Sequence, residues 1–112
     1  MNPEDPVQRQ LIAYNAHDLE RFVGEYTDDV QVFRLADAKP LIVGREAFAA
    51  HYRDNRFNLP GLHADVVKRM VVGNKVIDHE IVTGLPEGRM ETAAIYEVTE
   101  RGISKVWFVG AK

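Results

Sequence analysis

Cysteine is absent from the 112 residues, and serine occurs once, at Ser104. The first absence removes disulfides, thiolate metal sites and a cysteine nucleophile. It fits a reducing compartment, and a cytoplasmic location is the expectation. Ser104 falls in an apparent strand and lacks the G-x-S-x-G elbow that exposes a catalytic serine. There is no P-loop and no G-x-G-x-x-G. His17, His51, His63 and His79 are dispersed, with neither H-x-H nor H-E-x-x-H spacing, so no metal and no cofactor is expected. Positive charge is also sparse: 14 Lys and Arg face 17 Asp and Glu, for a net charge of −3, and the densest basic pair is Lys68-Arg69. A nucleic-acid binder needs a basic face to neutralise phosphates, and none is visible. No apolar run approaches the roughly 20 residues that span a bilayer. Met1-Asn2-Pro3-Glu4-Asp5-Pro6 has neither the basic nor the apolar region of a signal peptide, so none is expected.

What is present is ordinary globular material, 46% hydrophobic and 28% charged. That length suits one domain over residues 1–112 and is too short for two. Asp5-Pro6-Val7-Gln8 carries a helix start, with Asp5 as cap and Gln8 as its capping-box partner. Val7, Leu11 and Tyr14 then recur at helical spacing, and the helix stops near Asn15-Ala16-His17. Asp18 caps a second helix with Leu19, Phe22, Val23 and Tyr26 on one face. Residues 30–35 form a strand, 41–43 a short apolar run closed by Gly44, and 45–58 a helix with Phe48, Ala49 and Tyr52 on one side. Four strands follow, over 62–72, 75–83, 89–99 and 103–109, separated by Gly73-Asn74, by a loop holding Pro86, and by Glu100-Arg101-Gly102. Short turns make these strands antiparallel neighbours.

The order helix, helix, strand, strand, helix, then four strands resembles the NTF2-like superfamily, which includes steroid isomerases, SnoaL-type cyclases and scytalone dehydratase. Tyr14-Asn15-Ala16-His17-Asp18-Leu19 looks like that family's junction between its first two helices, and Tyr26-Thr27-Asp28-Asp29-Val30 its entry into the first strand. Val43-Gly44-Arg45-Glu46-Ala47 resembles the start of its third helix. Ile95-Tyr96-Glu97-Val98 with Gly102-Ile103-Ser104-Lys105-Val106-Trp107 resembles its closing hairpin. The likeness covers nearly the whole chain, as a SnoaL-like or ketosteroid-isomerase-like domain. It implies an α+β cystatin/NTF2-like cone: a curved, mixed but mostly antiparallel sheet with three helices packed on its concave face. It also implies an apolar pocket for a small molecule, and a homodimer through the outer sheet face. Fold alone does not fix a reaction.

The steroid isomerases tune carboxylic acids by burial. They use a carboxylate on the first strand, a tyrosine on the first helix and a protonated acid on a late strand. Those roles fall near Arg34, Gln10 and Ala94, none of which supplies the group, so steroid-type isomerisation is not expected. Side chains alternate across a strand. His79 therefore shares a face with Ile77, Ile81 and Thr83, while Asp78 and Glu80 share the other with Val76 and Val82. Matching apolar faces against Met90, Thr92, Ala94, Tyr96 and Val98 turns His79 inward, as a candidate acid or base with Tyr14 as a donor. The opposite register buries Asp78 and Glu80, which could then do acid–base work or hold a hard cation. Thr92, Ala94, Tyr96, Arg34, Phe48, Tyr52 and Phe108 complete the expected pocket lining, with Arg34 able to clamp an anion. Trp107 is expected on the outer face. Three functional classes stay open: proton-transfer enzyme of the isomerase, dehydratase or cyclase type, non-catalytic ligand binder, and protein-interaction module.

Overall fold

The first helix, α1, runs over Glu4–Asn15 and buries Val7, Gln10, Ala13 and Tyr14 along one stripe. The computed structural model describes residues 1–110. The expected Asp5 cap does not form. Pro3 holds the N-cap position without a capping bond, and the Asn2 side chain accepts from the Glu4 N–H at 3.2 Å. Asn2 offers a short side-chain oxygen just upstream, and Pro6 is harmless in a first turn because its missing N–H has no partner there. At the other end His17 takes a positive φ of 57°. Asp18 then caps α2 (Leu19–Gly24) as expected, accepting from the Arg21 N–H at 3.1 Å.

Strand β1 (Tyr26–Arg34) starts four residues earlier than the apolar pattern suggests, because Tyr26 and Thr27 are buried against the helices. Ile42–Val43 forms β2, and α3 spans Arg45–Asn55. The long strands are β3 (His63–Val72), β4 (Lys75–Thr83), β5 (Met90–Thr99) and β6 (Gly102–Gly110). Val72 pairs with Lys75 across a two-residue turn in which Gly73 sits at φ 59°. A glycine leading such a turn gives the backbone twist that an antiparallel pair requires. The six strands lie in the order β2-β1-β6-β5-β4-β3. Among the described strands β1 and β6 pair in parallel and all other neighbours are antiparallel. This is the mixed, mostly antiparallel sheet with three helices that the family resemblance implies, and it is open.

The core lies between the helices and the sheet's inner face. Phe22, Tyr26, Phe48 and Tyr52 interlock there, with ring centroids 4.3–5.6 Å apart. Pairing of β4 with β5 sets which side chains face inward. Val76 lies opposite Tyr96, Asp78 opposite Ala94, Glu80 opposite Thr92 and Val82 opposite Met90. All four β4 residues are buried, whereas His79 is half-exposed. The inward placement of His79 is thus corrected: Asp78 and Glu80 face the core. Matching apolar to apolar misleads here because this sheet is apolar on both sides. Ile77, Ile95, Phe33 and Trp107 make an outer stripe that satisfies the same rule, with the Phe33 and Trp107 rings stacked at 5.7 Å.

Candidate functional site

Two buried carboxylates, two positions apart on the same face of β4, demand partners, since an unpaired buried charge costs several kcal/mol. Asp78, fully buried, is gripped by Arg69: Nε donates to Oδ1 at 2.7 Å and Nη2 to Oδ2 at 2.9 Å. Nη1 of Arg69 donates to Oε1 of Gln8 on α1 at 2.8 Å, tying helix and sheet together. This pair exists because β3 carries a bulge. Val66 faces Glu80 and Lys68 faces His79, so Val67 is an extra residue without its own place in the register. Beyond an inserted residue the inward and outward sides of a strand exchange. The bulge therefore turns Arg69 inward and Lys68 outward.

Among the described residues Glu80 has no cation within ion-pair distance. Tyr96 O–H donates to its Oε2 at 3.0 Å. Behind that phenol, Gln10 Nε2 donates to Tyr96 Oη at 3.4 Å and to the Val7 carbonyl at 2.9 Å, and Tyr26 O–H donates to Gln10 Oε1 at 2.8 Å. The chain of donors ends on the carboxylate. Burial pushes the Glu80 carboxyl up to about 7; the Tyr96 hydrogen bond and Arg69 oppose that rise, and Asp78 adds to it. Among the described residues no buried side-chain polar atom lacks a partner.

Glu80 and Tyr96 open onto a cavity of about 470 Å³, within the range of small-molecule sites. Its wall is mainly apolar and aromatic, including Phe22, Tyr52, Val82, Met90 and Phe108. Tyr14 lines it as well. Burial raises its phenol to about 12, and Arg56 and Glu80 act on it in opposite directions. The phenol thus stays protonated, as a hydrogen-bond donor. Half-protonated near neutrality, Glu80 can both take and return a proton. Asp78 is spent on a guanidinium, and among the described residues no group of three or more His, Cys, Asp or Glu is placed to hold a metal ion.

The expected lining separates into two sets. Tyr14, Tyr96, Thr92, Arg34, Tyr52 and Phe108 border the cavity. Phe48 and Ala94 do not: both are fully packed in the core, Phe48 stacked on Phe22 and Ala94 fully buried opposite Asp78. His79 lies on the other side of the sheet, hydrogen-bonded to the exposed Glu91. Arg34 is bound to Asp37 at 3.0 Å, and the Thr92 hydroxyl donates to the Val109 carbonyl at 2.7 Å.

The SnoaL-like domain family matches residues 7–107. The chain belongs to that family. Solved structures share the fold of this SnoaL-like domain. An uncharacterized cystatin-fold protein from Novosphingobium aromaticivorans is 23% identical, with a TM-score of 0.85 over 96% of this chain and 97% of the other. An NTF2-like protein of unknown function from Cytophaga hutchinsonii is 12% identical, with a TM-score of 0.82 over 99% and 91%. A Mycobacterium tuberculosis protein, solved in complex with estradiol-17beta-hemisuccinate, is 17% identical, with a TM-score of 0.79 over 96% and 93%. No curated protein matches the sequence. No helix among the described residues is long and apolar enough to cross a membrane.

In this SnoaL-like domain Gln10 joins Tyr26 to Tyr96. Gln10, Tyr26 and Arg69 were not legible as site residues in the sequence. Gln10 lies one turn before Tyr14 on the apolar stripe of α1, and a buried amide there must find partners. That spacing was the one available signal.

Proposed function

We propose that this SnoaL-like domain binds a small, largely apolar organic molecule in the cavity and moves a proton on it. Glu80 takes the proton from one atom and returns it to another, as isomerisation, dehydration or cyclisation requires. Tyr96 holds the carboxyl in place, and Tyr14 O–H is the donor available to a ligand oxygen. The observation that supports this reading is a buried carboxyl, set at the end of a donor chain and open to a 470 Å³ cavity. A carboxyl so placed reaches the reacting atoms of a bound ligand directly. The Mycobacterium tuberculosis protein with the same fold, solved with an estradiol derivative, agrees with an apolar occupant. Steroid isomerisation is not proposed, because the resemblance puts those isomerases' acids and tyrosine near Arg34, Gln10 and Ala94, none of which supplies the group.

The test is proton exchange. Enolisable carbonyl compounds that bind the purified protein are followed by NMR in deuterated water. The expected result is C–H exchange with the wild type and none with Glu80→Gln, which still binds. A bound compound set that never exchanges in the wild type overturns the catalytic reading. The surviving alternative is then a non-catalytic binder, favoured by the complete internal pairing of the polar network. Native mass spectrometry of freshly purified protein would reveal such a ligand released unchanged.

The outer stripe of Phe33, Ile77, Ile95 and Trp107 supports a second proposal: two copies pair through this sheet face, removing apolar surface from water.

A further inference from the structure

The last turns of α3 present Tyr52, Asn55 and Arg56 to the cavity. Arg9, Arg21, Arg34, Arg45, Arg53 and Arg69 each have a carboxylate within ion-pair distance. Among the described residues Arg89, Arg101 and Arg56 have none, and of these three Arg56 alone borders the cavity. It is half-buried, donates from Nη1 to the Asn55 carbonyl at 2.7 Å, and meets the Tyr14 phenol. A guanidinium carries five donors in a planar fork, and these contacts leave part of that fork unused. A cation half-withdrawn from water on a mostly apolar wall gains most from an anion that brings two oxygens at once.

We infer that the occupant of the cavity is an organic carboxylate, whose charged end is held by Arg56 at the α3 edge of the cavity while its apolar body lies against the aromatic wall. This rests on the proposed reading of the cavity as a ligand site, and it adds the ligand's charge and the residue that selects it. The opposite orientation is disfavoured by chemistry. Glu80 is itself an acid with no ion-pair partner among the described residues, and a carboxylate beside it would set two acids together in a medium that screens charge poorly. The anionic end therefore belongs at Arg56, and the neutral end at Glu80.

A cation that served only the carbonyl end of α3 would be indifferent to ligand charge. The experiment exploits that difference. Phenylacetic, naphthylacetic and biphenylacetic acids are each compared with their primary amides by isothermal titration at neutral pH. The wild type is expected to hold at least one acid about tenfold more tightly than its amide. Arg56→Met should bring that acid to the amide's level while leaving the amide within about twofold. Arg56→Lys keeps the charge but loses the fork, and should fall between. Circular dichroism checks each variant's fold, and Arg56→Gln stands in if the methionine variant fails to fold. Equal binding of acid and amide by the wild type, or a preference that survives loss of Arg56, overturns this inference while the ligand site stands. Binding of no compound in either form overturns the ligand-site reading with it.

Discussion

Glu80 shows how one residue can tie stability to pH. Its carboxyl titrates at about 7 in the folded chain against an ordinary value of 4.5, so the folded state favours the protonated form. Below about pH 4.5 both states hold the proton and burial imposes no ionisation penalty. As pH rises the unfolded chain loses its proton first, and the penalty grows until the folded carboxyl has also ionised, above about pH 7. The full penalty is on the order of 3 kcal/mol. Glu80→Gln should therefore stabilise the protein relative to wild type at about pH 8, with a difference that shrinks towards zero near pH 4. Denaturant unfolding across that range checks it, and a pH-independent difference would refute the assignment. Tyr96→Phe should move the same carboxyl further up, because the lost hydrogen bond favours the ionised form. Carbon-13 NMR of the Glu80 side chain reads this directly. The sequence brought Asp78 and Glu80 into view as one of two registers. Choosing between them required their partners, Arg69 and Tyr96, which lie 9 and 16 residues away.

Among the elements, β3 decides most. Its bulge at Val67 cannot be read from an apolar pattern, because Val66, Val67, Val71 and Val72 suit either side of a strand. Yet that one extra residue sets Arg69 against Asp78. Removing one partner of a buried pair is costly, so Arg69→Met should destabilise by roughly 3–5 kcal/mol. The double variant Arg69→Met with Asp78→Leu should recover most of the loss, since no charge is then left buried. Unfolding of the two variants by denaturant separates a buried-charge effect from simple packing loss. The junction after α1 repeats the lesson. The sequence shows Asn15-Ala16-His17 as a helix stop. In the fold, Asn15 exchanges two hydrogen bonds with the Ala64 backbone at 2.9 and 2.8 Å, and the His17 ring bonds the Leu62 carbonyl at 2.7 Å. Turn formers announce where a helix ends. They do not announce which strand their side chains will fasten.

At the scale of the whole molecule, a sheet with two apolar faces needs cover on both. The helices cover the inner face, and the proposed second copy covers the outer. Sedimentation is expected to show a dimer, and Trp107→Glu should yield a folded monomer, since Trp107 lies on the outer stripe. A wild-type monomer at micromolar concentration would remove that proposal and leave the cavity unaffected.

The sequence by itself determined the element order and the antiparallel succession of the last four strands, because periodicity and turn chemistry act locally. Only the tertiary structure decided that Glu80 rather than His79 looks inward. The pairing of β4 with β5 sets that choice, and partners distant in sequence, Arg69 turned inward by one bulged residue and Tyr96, make two buried acids tolerable.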